Sequence, residues 1–330
     1  MEYRSIKNAG IEVSKIALGC WQFAGGAMWG DQDDRNSIDS VHAALDLGIN
    51  LFDTAEAYGG GKSEEVLGEA LRGRRSSAIV ATKASGPTYE RNELTLACEN
   101  SLRRLKSDYI DIYQLHWPRD GMVDSTLFLE TAEELKKAGK IRHFGVCNFG
   151  PNNLRELLAN GLIVSNQLCY SLLWRGIEGE VVPILEEHEI GVLTYSTLVH
   201  GLLSGKYHSL DEFPKGRARS LHFSGDREGV AHGQDGQEEL TIRTIETIRS
   251  ICTDSGFSMT AASFGWAARQ PMVSSVLAGA RNVEQVEANA AIADIDFPSG
   301  FFDALTEASE ELKEAFGAQV DMWQKPGRIR

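Results

Sequence analysis

No apolar run in the chain reaches the roughly 18 to 20 residues that a membrane span requires, and the opening Met1-Glu2-Tyr3-Arg4 lacks the apolar core of a signal peptide. A cytoplasmic location is the expectation. Proline is scarce, at 8 of 330 residues, and the 33 glycines are scattered rather than set at every third position, which excludes proline-rich disorder and a collagen-like repeat. The cysteines at 20, 98, 147, 169 and 252 are odd in number and never form a Cys-x-x-Cys pair. They read as reduced, packed thiols. Positive charge is in deficit: 33 Lys and Arg face 47 Asp and Glu, for a formal charge of −14. A nucleic acid or an anionic membrane would be repelled on average, so neither is an expected partner, although a local basic pocket could hold a small anion.

Several short motifs are missing as well. Gly59-Gly60-Gly61-Lys62-Ser63 imitates a phosphate-binding loop, but Glu56 stands where the first glycine belongs. There is no Gly-x-Gly-x-x-Gly after a strand, no His/Cys cluster with zinc spacing, and no Gly-x-Ser-x-Gly. No metal is expected.

What the chain does contain is 42% hydrophobic residues, laid out as eight short apolar runs alternating with amphipathic stretches. The strand-like runs are Lys15–Cys20, Ile49–Asp53, Ala78–Lys83, Tyr109–His116, Ile141–Asn148, Ile163–Tyr170, Gly191–Ser196 and Val273–Gly279. Helical patterns begin near Arg35, Ser63, Glu93, Ser125, Pro151, Glu178, Glu239 and Val283, with Ser63 expected to cap the second. Eight βα units without a change of composition predict an α/β fold, a closed (β/α)8 TIM barrel forming one domain over 1–330; a doubly wound open sheet is the second choice. Three additions are expected. A β-hairpin of Glu2–Ile6 and Ile11–Ser14 would plug the barrel floor, a long glycine-rich loop from about His208 to Gln237 follows strand seven, and an extra C-terminal helix covers Phe301–Ala315.

Reacting groups of such a barrel stand at the carboxyl ends of its strands. Strand two ends in Asp53 with Tyr58 in the following loop, strand three ends in Lys83, and strand four ends in His116. Alone, Asp53 would be a helix cap and His116 a core histidine. Together they make chemical sense: Asp53 keeps Lys83 charged, the lysine lowers the pKa of Tyr58, the tyrosine gives a proton to a carbonyl oxygen, and His116 orients that oxygen. Lys83 is the most telling of the four, since a lysine in an apolar strand is costly unless paired.

Asn50-Leu51-Phe52-Asp53-Thr54-Ala55-Glu56-Ala57-Tyr58, followed by Ser63-Glu64 and Leu67-Gly68, resembles the signature of the aldo-keto reductases, and the likeness runs along nearly the whole chain. The resemblance implies an NADP(H)-dependent reductase of aldehydes or ketones, or of the reverse reaction on a sugar or polyol, with Asp53, Tyr58, Lys83 and His116 as catalytic residues. The pattern is similar to the bacterial inositol-linked and general-stress branch. The same resemblance places Asn148 and Gln167 on the nicotinamide carboxamide and Tyr195 against its ring. Trp21, Ser196, Leu198, Gly201, Lys206 and Arg219 are carried over as further cofactor contacts, and Gly279, Arg281, Gln285 and Asn289 as the adenosine-phosphate site. Trp21, Tyr58, His116 and Trp117 would line the pocket of a small carbonyl or sugar-like substrate. Arg281 favours NADP(H), because a guanidinium can pair with a ribose 2′-phosphate. Departures from the family pattern are Cys147 for serine, Thr197 for proline and Arg217 for aspartate. The alternative reading is a cofactor-binding regulatory module resembling the β subunits of potassium channels.

Overall fold

The computed structural model describes residues 1–86, 89–119 and 124–324. Its first two strands, β1 (Tyr3–Ile6) and β2 (Ile11–Ser14), pair antiparallel with Ile6 opposite Ile11 and Tyr3 opposite Ser14. Alternation puts Ile6 and Val13 on the inner side of this hairpin, where both are fully buried against Ala17, Leu51, Ala81, Ile112, Leu193 and Leu277. Gly191, the first residue of a barrel strand, lies against the Ile6 side chain. The hairpin therefore closes the floor of the barrel, as expected.

The barrel strands are β3 (Ile16–Gly19), β4 (Leu51–Asp53), β5 (Ile79–Ala84), β6 (Ile110–Leu115), β7 (Ile141–Cys147), β8 (Ser165–Cys169), β9 (Gly191–Tyr195) and β10 (Val273–Gly279). Each pairs in parallel with the next, and β10 returns to β3 to complete a closed ring. This is a (β/α)8 barrel. The two-residue period sorts its side chains: Leu51 and Ala81 fill the interior while Phe52 and Val80 pack outward under the helices. One step further along the same inner rows come Asp53 and Lys83, at the carboxyl end.

Three local expectations are corrected. Ser63 does not cap the helix Lys62–Ala70; Gly61, at φ +99°, precedes that helix, and the Ser63 hydroxyl instead donates to the Cys20 carbonyl at 2.7 Å and accepts from Thr54 at 2.8 Å. A position inside the first turn can reach back to the neighbouring strand end, and two buried bonds there outweigh one cap. The helical pattern starting near Glu239 is two helices, Glu238–Asp254 and Met259–Arg269, the second capped by the Ser258 side chain accepting from Ala261 N at 3.1 Å. The C-terminal helix is also divided, into Phe301–Ala308 and Glu310–Phe316. At the break the Thr306 carbonyl, which a continuous helix would give to residue 310, accepts from the buried Arg175 guanidinium at 3.0 Å. Between Ser204 and Glu238 the chain forms only the short turn Leu210–Glu212, in keeping with the long loop expected there. Among the described residues no helix is long and apolar enough to cross a membrane.

Candidate active site

Asp53 is the last residue of β4, and Lys83, fully buried, stands on β5 two residues beyond Ala81, the register partner of Asp53. Its ammonium donates to both Asp53 carboxylate oxygens and to the Thr54 carbonyl, each at 2.8 Å, and to the Tyr58 hydroxyl at 3.3 Å. Burial alone would discharge the lysine, but the charges facing it, Asp53 first, hold its pKa above the ordinary value. Burial pushes the Asp53 carboxyl up against the pull of Lys83 and Gln167. With five close bonds converging on the pair, the ionised form is the one the geometry supports.

Tyr58 is carried by a sharp turn, Tyr58–Gly61, in which Gly59, Gly60 and Gly61 all have left-handed φ. A Cβ on Gly61 would stand 2.3 Å from Arg104, which crosses this turn to bond the fully buried Glu64 at 2.6 Å. The glycine run that imitates a phosphate loop is thus the mount of the tyrosine. One expectation about this residue is corrected: the Tyr58 pKa is raised by burial, not lowered, because the Lys83 charge that opposes burial is already shared with Asp53. Tyr58 is a neutral phenol in the free protein, which suits a proton donor. The Trp21 ring stacks on it with centroids 5.5 Å apart, and the His116 imidazole meets it edge-on at 5.8 Å.

These groups face a cleft of about 810 Å³ at the carboxyl end of the barrel. All the candidate residues line it except Lys83, which lies beneath Asp53 and Tyr58, and Arg281. Asn148 donates to the His116 carbonyl at 3.1 Å and accepts from the Tyr195 hydroxyl at 2.6 Å; Gln167 donates to Asp53 at 2.6 Å. Ser196, Leu198, Gly201 and Lys206 border the cleft on the segment after β9, while Gly279 does so at the end of β10 and Gln285 and Asn289 on the helix that follows. Arg281 sits at the rim, its Nε bonded to Gln32 at 2.8 Å and another guanidinium N–H to the Asp31 carbonyl. The segment after β9 is strained: Ser196, Val199 and His200 take φ of +53°, +45° and +53°. A β-branched residue in that region is costly, and such conformations gather where backbone must face a ligand.

Three residues that the sequence reading passed over, and Trp29, which spacing alone leaves equally core or ligand contact, belong to this cleft. Trp323, from the segment after the last helix, lies nearly parallel to Tyr195, centroids 6.0 Å apart and planes 4° apart, and edge-on to Trp117 at 5.9 Å. His200 is pushed down to a pKa of about 3 by desolvation and by Arg219 and Arg217, so it is a neutral wall. Trp29 packs edge-on against Trp21 at 5.3 Å and carries the Arg217 guanidinium 5.1 Å above its ring. Gln22 lies flat against Gly279, where a Cβ would meet its amide nitrogen at 2.0 Å. None could be placed from spacing, since each rides on a short turn or helix outside the repeating βα units.

The lining of the cleft suits an anionic nicotinamide dinucleotide. Among the described residues it includes Lys206, Arg217 and Arg219 but only one carboxylate, the paired Asp53, so the local charge is positive in an acidic protein. Gln22 Oε1 and Thr197 Oγ1 are buried in the same cleft and have no protein partner. Buried polar atoms of this kind call for a ligand or water.

The model of the aldo/keto reductase family matches residues 15–310, and the chain belongs to that family. It is 37% identical over 302 residues to the aldo-keto reductase YhdN of Bacillus subtilis, covering 87% of each chain. It is 32% identical to an NADH-specific methylglyoxal reductase of Escherichia coli, over 92% of this chain and 97% of that one. Among solved structures it resembles a glycerol dehydrogenase of Gluconobacter oxydans, with a TM-score of 0.77, 29% identity and 99% of both chains covered. An aldo-keto reductase of Klebsiella pneumoniae in complex with NADPH superposes with a TM-score of 0.70 at 26% identity, over 99% of this chain and 98% of that one.

Proposed function

We propose that the protein is an NADP(H)-dependent oxidoreductase that reduces a small aldehyde or ketone to an alcohol, or oxidises a sugar-like alcohol in reverse. The observation that carries this reading is the buried Asp53–Lys83 pair with the Tyr58 hydroxyl 3.3 Å from the ammonium, beneath an aromatic cleft. A bound nicotinamide supplies or accepts the hydride. Tyr58 donates its proton to the carbonyl oxygen, and the Lys83 ammonium steadies the negative charge left on the phenolic oxygen. Asp53 keeps that ammonium charged and fixed. His116 gives the carbonyl oxygen a second hydrogen bond, and the Trp21 and Trp117 rings keep water away from it. Lys206, Arg217 and Arg219 suit the phosphates, and Arg281 the 2′-phosphate; the NADPH complex of the Klebsiella relative supports the same choice of nucleotide.

The test is a panel of small carbonyls and alcohols followed by NADPH absorbance in both directions. Tyr58→Phe removes the proton donor but keeps the ring, so kcat should fall by about 10² to 10⁴ while NADPH affinity stays nearly constant. A mutant that retains most of its turnover would refute the role of Tyr58.

A further inference from the structure

We propose that Ser85 is a positioning residue for His116: its hydroxyl donates to Nδ1 and so fixes the imidazole in the form that carries its proton on Nε2. The proposal rests on the reductase reading of the site. The register of β5 and β6 pairs Ala84 with Leu115, so the residues that follow, Ser85 and His116, leave the barrel side by side. The His116 N–H donates to the Ala84 carbonyl at 2.9 Å, and the Asn148 amide donates to the His116 carbonyl at 3.1 Å. Both bonds fix the backbone of His116. The ring packs between Tyr58 and Trp117, and its Nδ1 lies 3.0 Å from Ser85 Oγ. Ser85 is itself held, since its N–H donates to the Glu56 carboxylate at 2.5 Å and Glu56 faces Arg104 at 3.8 Å.

A neutral imidazole has one N–H and one lone pair, and which nitrogen holds the proton follows from the partner of the other. If Nδ1 carried it, the Nε2 lone pair would face the cleft and repel a carbonyl oxygen. A hydroxyl that donates to Nδ1 leaves Nε2–H as the donor the reaction needs. Serine can do this because the hydroxyl of the residue after a strand turns freely, whereas an alanine there has no proton to give Nδ1.

The experiment measures both tautomer and turnover. Two-dimensional ¹⁵N–¹H correlation spectra of the histidine-labelled full chain give the protonation of each ring nitrogen, with His116→Asn identifying the His116 signals. In the unmutated protein Nδ1 should be unprotonated and Nε2 protonated. In Ser85→Ala the signals should move toward a mixture, with kcat down about three- to tenfold and the KM for NADPH within about twofold, as the loss of one hydrogen bond that orients a ring predicts. Ser85→Thr, which keeps the hydroxyl, should restore both. A proton on Nδ1 in the unmutated protein overturns the proposal even if Ser85→Ala does not fold, and so does an unchanged tautomer in Ser85→Ala. If no carbonyl or alcohol is turned over by the unmutated protein, the reductase reading falls, while the spectra still decide whether Ser85 sets the ring.

Discussion

Arg281 shows how much one side chain is asked to do. Its guanidinium is bound on one side by Gln32 and the Asp31 carbonyl, and the Gln32 amide returns a bond to the Arg281 carbonyl at 2.9 Å. The group is thereby pre-oriented, and on the proposed reading its remaining N–H groups would meet the 2′-phosphate. NADPH should bind more tightly than NADH, and Arg281→Ala should weaken NADPH by roughly one to two orders of magnitude while leaving NADH nearly untouched. Titration of both nucleotides, read by tryptophan fluorescence, measures this. Gln32→Ala should weaken NADPH in the same sense but by less, since it frees the guanidinium without removing its charge. Equal affinities in the unmutated protein would remove the case for NADP(H).

Among the elements, the divided C-terminal helix is held by charge. Arg175, only 4% exposed, bonds Glu178 at 2.8 and 2.9 Å and Glu310 at 2.8 Å, and Tyr170 donates to Glu178 at 2.7 Å. Burial would raise the Glu178 pKa, but the bonds from Arg175 and Tyr170 outweigh it and hold the carboxyl below its ordinary value of 4.5. A depressed carboxyl stabilises the fold fully above the unfolded value and loses that contribution as pH falls through the folded one. Thermal melts should therefore show the gap between the unmutated protein and Glu178→Gln narrowing below about pH 4.5. A gap that stays constant down to pH 3 would mean that the carboxylate charge is not what fastens this element. The barrel itself was legible because short apolar runs and their polar ends need no tertiary knowledge, and Asp53, Lys83 and His116 could be found at those ends for the same reason. The break at Ser309 was not legible, because it depends on Arg175 arriving from 134 residues earlier in the chain. The Tyr58 pKa was misjudged for a related cause: sequence shows that a lysine is near, but not that its charge is already shared.

Over the whole molecule, chain ends decide what the barrel alone leaves open. The segment carrying Trp323 is fastened by the Leu221 N–H donating to the Met322 carbonyl at 2.8 Å, with Met322 fully buried. Trp323 thus joins the Tyr195 shelf to the Trp117 wall. Trp323→Ala should raise the KM for carbonyl substrates about three- to tenfold, the usual worth of an aromatic contact, with the melting temperature little changed. Unaltered KM across the panel would exclude Trp323 from the pocket. At the other end of the barrel the hairpin of β1 and β2 fills the floor with Ile6 and Val13. With that end filled, the described cleft opens at the opposite, carboxyl end, so on the proposed reading a nucleotide and its substrate would approach from the same side of the barrel and have to share it.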